Sequence, residues 1–571
     1  MPGRRNLSPP ASVTLGKLPP PKVTRMSLRK KITGGLVAAL SLVVLTAATV
    51  NPVNDKFFEI MKAIEVYTNV YKEVNTYYVD DIEPNKLMRT GIEAMVSSLD
   101  PYTNYISETD VELARLRRSG KYEGIGAKIE YIDGLPTIMT LYKDQPADAA
   151  GLKTGDRLLS VDGRATAGYN REQLEEIMRG FPGTTMELEV ERPGEGKKDL
   201  ELKRGDVTIP NVPYSGMLDQ GVGYVALTTF TQRAGKNVRD AVAKLRADNP
   251  DLKGVVLDLR NNGGGLLNEA VDIVNIFVPK DELIVTTKGK VRDWDRSYKT
   301  KGAPLDLELP VAVLINGRSA SASEIVSGSL QDLDRGVLIG QRSFGKGLVQ
   351  NIMETGYGSR VKITTAKYYI PSQRCIQALE YQDGKPVDIP DERRAVFKTR
   401  AGRPVLDGGG VAPDIKVPVL GGKAITAGLL EEHVIFDYVN EWVSNHPTID
   451  SVADFRFTDW DGFVDFLQKE DYEYTSKAEK ALERALAATK EEGYDISTEL
   501  KAIQERVDRE QLAAIREYRG EIISIIEKEI AGRYYYQRGE VQMGLRNDKE
   551  VQEAIAVLND PTRYNKILAA Q

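Results

Sequence analysis

The sequence predicts an α/β core preceded by a smaller β-rich unit, with helical regions at both ends. Three observations predict it. Between residues 207 and 419, apolar runs such as GVVLDLR and VAVLIN alternate with amphipathic stretches at helical spacing, as expected of helices packed on a largely parallel sheet. Between 122 and 205 the runs shorten, turn residues recur and strand patterns dominate. Outside these two regions the chain is charged and helically periodic.

The elements follow in order. FFEIMKAIEVYTNVYKEV and LMRTGIEAMVSSL read as helices before the turn DPYTNY. KIEYI, TIMTLY and RLLSVDG read as strands, REQLEEIMRGF as an amphipathic helix, and TTMELEVER with KKDLELKR as a hairpin closed by PGEG. In the core, GYVALTTF, GVVLDLR, VAVLIN and GVLIG are strands, and NVRDAVAKLRAD, LLNEAVDIVNIFV and ASEIVSGSLQDL are helices. Beyond residue 425, segments such as REQLAAIREYRGEIISIIEKEIAGRYYYQ alternate charged and apolar stripes. Solvated helix faces, a homo-oligomer interface and an adaptor surface all fit that pattern.

A chain of 571 residues exceeds one domain, and 41% hydrophobic with 28% charged residues describes globular material. The net charge of -6 gives no reason to expect nucleic acid as a partner. One cysteine, Cys375, excludes an internal disulfide and a cysteine-rich metal site, and reads as a small buried or half-buried side chain. Residues 32–50 carry no charge and follow Arg29, Lys30 and Lys31, which reads as a signal peptide or a signal anchor. That segment sends the chain outside the cytoplasmic membrane, anchored or released. Residues 1–25 are basic and proline-rich, and Met26 offers an alternative start.

The stretch GRSASASE, residues 317–324, lies between a buried strand and a helix, where a nucleophilic serine often sits. Only two histidines exist, His433 and His446, both far downstream in the helical region. A neutral lysine can serve as the base if burial and nearby positive charge lower its pKa. Lys346 follows Ser321 by 25 residues in SFGKG, where the glycines permit close backbone approach and Phe344 offers apolar cover. Read alone, a lysine between glycines also fits a surface position or a phosphate contact. The amide groups at the start of the Ser321 helix and in the loop 261–265, NNGGG, are candidate oxyanion donors. That loop also fits a tight turn or a phosphate loop, although no GKS or GKT follows it. Ser319 and Ser323 read as helix caps.

The stretches LDPYTNYI, LDLRNNGGGLLNEAV, INGRSASASEIVSGSLQD, GQRSFGKGLVQ, ITTAKYYIPSQRCIQ and GGGVAPD occur in order over about residues 60–415. In them, and in the region from YEGIGAKI to RLLSVDG, the chain resembles the carboxyl-terminal processing (tail-specific) proteases of serine–lysine type. The resemblance implies a crotonase/ClpP-like α/β catalytic core at 206–420 with an inserted PDZ domain at 116–205. The sequence patterns place an N-terminal helical segment at 51–115 and a C-terminal helical region at 421–571 on either side of these, after a leader at 1–25 and a signal segment at 26–50. It implies Ser321 as nucleophile, Lys346 as general base and Gln350 as the group orienting the lysine. The oxyanion hole it implies uses the N–H of Ala322 with that of Gly263 or Gly264, and Glu324 and Asp332 match supporting acidic positions. Gln373 departs from a common glycine, outside the catalytic set.

In the PDZ region, Gly124, Ile125 and Gly126 precede the strand AKIEYI, and their N–H groups suit a terminal carboxylate. The expected partners are therefore protein substrates with apolar C-terminal tails, without cofactor or metal. A non-catalytic scaffold is disfavoured because Ser321, Lys346 and Gln350 are all present. A penicillin-binding acyltransferase needs lysine three residues after the serine, where Glu324 stands. A trypsin-like protease needs a histidine before the serine, and none exists.

Overall fold

The computed structural model describes residues 52–107, 121–178, 180–377, 379–382, 385–388, 390–418, 424–469, 477–494 and 497–569. The expected signal segment and leader lie outside them. Among the described residues no helix is long and apolar enough to cross a membrane.

The chain divides into compact units at residues 92 and 93. In the first, the helix Pro52–Tyr77 carries exposed Phe57, Phe58, Ile60, Met61 and Ile64, and the Tyr71 hydroxyl donates to the Pro84 carbonyl at 2.8 Å.

The second unit begins with an antiparallel sheet of Ala127–Ile132 (β1), Leu135–Leu141, Arg157–Val161, Thr185–Arg192 and Gly196–Lys203, hydrogen-bonded in that order. β1 is an edge strand. Behind the sheet, Leu174 and Met178 of helix Arg171–Met178 (α1) pack with Ile138, Leu158, Leu188 and Val190.

The α/β core has a six-stranded sheet. Its centre is the parallel run Val222–Ala226, Gly254–Asp258 (β2), Val311–Ile315 (β3) and Val337–Gly340 (β4), with an antiparallel strand Tyr214–Met217 at one edge. The central strands are buried on both faces, which explains their continuous apolar sequence. Val255, Leu257, Val313 and Ile315 face one cluster with Ile325 and Val326 of helix Ala322–Asp332 (α2). Val256, Ala312, Leu314 and Ile339 face the opposite way. Five strands form a second sheet, where Ser359–Tyr369 (β5) pairs with Asn104–Ile106, Leu283–Gly289 and Leu348–Gly356.

Residues 425–543 build a separate apolar cluster around Leu429, Val439, Phe463, Ile522, Ile526 and Ile530, so these helices are more than solvated charged rods. Within it, helix Arg519–Gly544 (α3) is interrupted at Tyr536, φ 55°, whose hydroxyl reaches Asp148 of the β-rich unit at 2.5 Å. The last two helices, Lys549–Leu558 (α4) and Pro561–Leu568 (α5), leave that cluster. Their Val551, Ala554, Val557, Leu558 and Tyr564 cover the second face of the six-stranded sheet.

Candidate active site

Three loops leave the carboxyl ends of the neighbouring strands β2, β3 and β4, and they carry the glycines, Ser321 and Lys346 respectively. Ser321 stands at the N-cap of α2 with φ 56° and ψ -111°. A non-glycine residue there costs roughly 1–3 kcal/mol and persists only when its surroundings fix it.

Glu324 supplies much of that fixing. Its buried carboxylate accepts from the Ser321 N–H (2.7 Å), the Ser343 hydroxyl (2.5 Å), the Gly345 N–H (2.7 Å) and the Lys346 N–H (2.9 Å). One side chain thus holds the backbones of Ser321 and Lys346 together. Burial pushes its carboxyl up to about 7, against the pull of these donors. The Tyr368 hydroxyl makes a second link, donating to the Ser321 carbonyl at 3.1 Å and to the Lys346 carbonyl. Burial raises this phenol well above its usual range, so it remains a donor. No local sequence pattern marked Tyr368 as a link between the loops; it lies near the end of the mixed polar and apolar strand β5, and its partners come from two other loops.

The Lys346 ammonium lies 4.6 Å from the centroid of the Tyr102 ring. Phe344, expected as the apolar cover, is instead 48% exposed, and only its N–H ties back, to the Ser319 carbonyl at 3.0 Å. Burial lowers the lysine's pKa and the charge of Lys362 lowers it further, while Glu324 and Asp100 oppose them. Lys346 Nζ has no hydrogen-bond partner among the described residues. The Gln350 amide donates to Thr364 Oγ1 at 3.3 Å rather than to Lys346.

The loop after β2 presses on Ser321. Gly264 has φ +95°, and a Cβ there would lie 2.7 Å from the Ala320 carbonyl and 2.9 Å from Ser321 Cβ. Its N–H donates to Asn262 Oδ1 at 2.9 Å, whereas the N–H groups of Gly263 and Ala322 have no acceptor among the described residues. Ser319 and Ser323 do not cap the helix. Ser319 Oγ donates to the Leu259 carbonyl and Ser323 Oγ to that of Asn262, both at 2.8 Å, bracing the serine loop against the glycine loop. Asp332 ends α2, ion-paired with buried Arg374 at 2.9 Å and accepting from the Ser372 N–H at 3.0 Å, so it anchors the helix away from Ser321.

In the β-rich unit, the carbonyls of Ile125 and Gly126 accept from the N–H groups of Ala147 (2.6 Å) and Tyr142 (3.1 Å). Gly124 pairs with Gly205, and Gly126 has φ +80°. The N–H groups of Ile125 and Gly126 have no acceptor among the described residues and lie beside the edge of β1. Among the described residues no cluster of His, Cys, Asp and Glu is suited to hold a metal ion.

Three family models match the chain: peptidase family S41 over residues 221–388, a PDZ domain over 137–192, and the C-terminal helical domain of probable PDZ-proteases over 425–558. The carboxy-terminal-processing protease of Bartonella bacilliformis is 33% identical over 351 residues, 61% of this chain and 79% of that protein. The carboxy-terminal processing protease CtpA of Bacillus subtilis is 32% identical over 322 residues, 56% of this chain and 68% of that protein. A solved photosystem II D1 C-terminal processing protease aligns at 26% identity with a TM-score of 0.34, covering 62% of this chain and 92% of that one. With a protease core joined to a PDZ domain and a helical C-terminal domain, the chain belongs to the carboxy-terminal processing proteases of peptidase family S41.

Proposed function

We propose that the chain is an endopeptidase that cuts protein substrates near their carboxyl termini, with Ser321 as nucleophile and neutral Lys346 as general base. One observation carries the reading: a single carboxylate, Glu324, accepts the backbone N–H groups of both Ser321 and Lys346. In the first step Ser321 Oγ bonds to the scissile carbonyl carbon and its proton passes to Lys346 Nζ. The oxyanion takes the free N–H groups of Gly263 and Ala322. The lysine then protonates the amine as the C–N bond breaks, leaving an acyl-serine ester. Water attacks the ester, giving its proton to Lys346, and Ser321 is regenerated. For Gln350 to orient the lysine, its amide must leave Thr364.

In the same proposal the core is of the crotonase/ClpP-like class, and its parallel strands with loops at their carboxyl ends support that reading. The substrate tail adds as a strand along β1, its carboxylate on the N–H groups of Ile125 and Gly126 and its last side chain against α1. The segment 32–50 exports the chain, so the substrates are envelope proteins.

Mass spectrometry of a tagged envelope protein incubated with each variant tests the chemistry. Ser321→Ala and Lys346→Ala should lower kcat by about 10⁴- to 10⁶-fold. Lys346→Arg should be nearly as damaging, because arginine stays protonated. Full activity in Lys346→Arg refutes the lysine base. For tail recognition, the full Ser321→Ala chain should bind free-acid peptides about 10- to 100-fold more tightly than amidated ones. Equal affinities reject that part alone. A reporter active only after export, fused after residue 55, should be active, and an inactive fusion rejects the location.

A further inference from the structure

The catalytic loops are braced from a distant part of the chain. Helix α4 lies across the second face of the catalytic sheet and runs against its strands. Leu558, at its carboxyl end, meets the position a Cβ would take on Gly254, where β2 starts. Its amino end sits at the opposite edge, where the three active-site loops leave the sheet. Asp548 caps the helix, accepting from the N–H groups of Glu550 (2.9 Å) and Val551 (3.1 Å).

Glu550 projects from this end into two catalytic loop stems at once. One carboxylate oxygen pairs with the Arg260 guanidinium, and the other accepts from the Gln341 amide. Arg260 opens the glycine loop, four residues before Gly264, and is also held by Asp258 (2.5 Å) and Asp548 (2.7 Å). Asp258 in turn accepts from the buried Tyr224 hydroxyl at 2.7 Å. Gln341 opens the lysine loop, five residues before Lys346. Strand β3, which feeds Ser321, runs between the two stems. Gly340 has φ +122°, and a Cβ there would lie 3.2 Å from Glu550 Oε1. The side chains involved are largely enclosed, with Arg260 16% and Glu550 12% exposed.

Helix α4 could cover an apolar face without any of this polar hardware. The apolar contacts of Val551, Ala554, Val557 and Leu558 suffice for burial, whereas the polar ones converge on the stems of the oxyanion and base loops. Charge-assisted bonds of this kind are stronger and more directional than neutral ones. A catalytic constellation must be held within about 0.5 Å of its productive geometry, and misplacement by about 1 Å can cost about a hundredfold in rate.

We infer that Glu550 is a positioning residue for the peptidase reaction, locking the register between the oxyanion loop and the general-base loop from the C-terminal end of the chain. The inference rests on the proposed roles of Ser321 and Lys346. It touches neither substrate nor reacting atoms, so its signature is a fall in kcat with KM unchanged.

The test uses the full chain, with active sites counted by a serine-directed phosphonate so that unfolded molecules drop out. Glu550→Ala should lower kcat per titrated site by about 10- to 100-fold, and slow phosphonate labelling similarly, with KM within about twofold. Gln341→Met removes only the lysine-loop arm and should show a smaller loss, about three- to tenfold. Leu558→Ala loosens the far end of the same helix and should lower Tm while leaving kcat per site unchanged. Wild-type kcat in both Glu550→Ala and Gln341→Met overturns the inference, as does an equal loss in Leu558→Ala, which would make the effect one of helix docking. If Glu550→Ala yields no titratable protein, Gln341→Met decides alone, and wild-type kcat in it overturns the clamp. Activity surviving in Ser321→Ala overturns the site assignment itself, whereas an inactive Ser321→Ala beside unaffected Glu550→Ala and Gln341→Met removes the clamp only.

Discussion

Replacing Tyr368 by phenylalanine deletes one oxygen and leaves the ring's packing intact. The side chain is 1% exposed, so no solvent takes the place of the hydroxyl. Its single proton serves two main-chain carbonyls, those of Ser321 and Lys346. A buried hydrogen bond contributes about 0.5–1.5 kcal/mol net, and an acceptor left unpaired costs about 1–3 kcal/mol. The expected total is therefore about 2–3 kcal/mol, spread between stability and the geometry of the two loops. If most of it falls on geometry, kcat drops about 10- to 100-fold, at about 1.4 kcal/mol per decade. KM should hold, because neither acceptor belongs to the substrate. Steady-state kinetics on a fluorogenic peptide, read beside thermal unfolding, measures both parts. A kcat within about twofold of wild type in a variant whose Tm has fallen would show that the hydroxyl only stabilises the fold, and would refute the coupling of the two loops through Tyr368.

Lys362→Met removes one of the two influences that lower the Lys346 pKa, so the rise of kcat/KM with pH should move to higher pH; an unmoved profile counts against Lys346 as the titrating base. Ser323→Ala deletes the 2.8 Å bond to the Asn262 carbonyl in a fully buried pair and should cost about 1–3 kcal/mol in stability with a clear loss of kcat, measurable in the same two assays. Gly264→Ala puts a Cβ within 2.7–2.9 Å of the Ala320 carbonyl, the Ala322 nitrogen and Ser321 Cβ, at φ +95°; phosphonate labelling of Ser321 should fall by more than about tenfold.

The parts of this site that were legible in the sequence are those written locally. An apolar run ending in NNGGG, in GRSASASE or in SFGKG marks a strand, its end and a loop with unusual backbone freedom. Parallel strands then bring the three loops side by side. What stayed hidden are the polar contacts between segments far apart in the chain. Ser319 and Ser323 look like caps because their spacing before a helix satisfies a local rule, yet each hydroxyl finds a better acceptor on the neighbouring loop. Phe344 adjoins Lys346 in sequence, but Tyr102, from a distant segment, supplies the ring. The amphipathic pattern of the last helices revealed an apolar stripe without revealing that its cover is the catalytic sheet. Likewise nothing in GRYYYQ announces the positive φ that interrupts α3 at Tyr536 and accompanies a hydrogen bond to Asp148.

Glu324 makes activity and stability respond to pH in opposite directions. All four of its partners donate, so the intact network requires the carboxylate, yet burial raises its folded pKa from 4.5 to about 7. Between these values the unfolded chain has released the proton and the folded chain retains it. Stability therefore falls as pH rises through this window, by up to about 1.4 kcal/mol per unit and roughly 3 kcal/mol in total, and levels off above 7. Activity should climb over the same range, since ionised Glu324 orders both loops and Lys346 becomes neutral at higher pH. Thermal unfolding of the Ser321→Ala chain from pH 5 to 8, compared with the same chain also carrying Glu324→Gln, isolates this contribution. The glutamine variant should show the shallower decline of Tm with pH, although its amide cannot serve all four donors and its Tm should be lower at pH 8. Identical slopes in the two proteins would mean that Glu324 ionises in the folded state as readily as in the unfolded one. The four donors would then offset its burial, and the carboxylate would hold Ser321 and Lys346 together without a cost in stability.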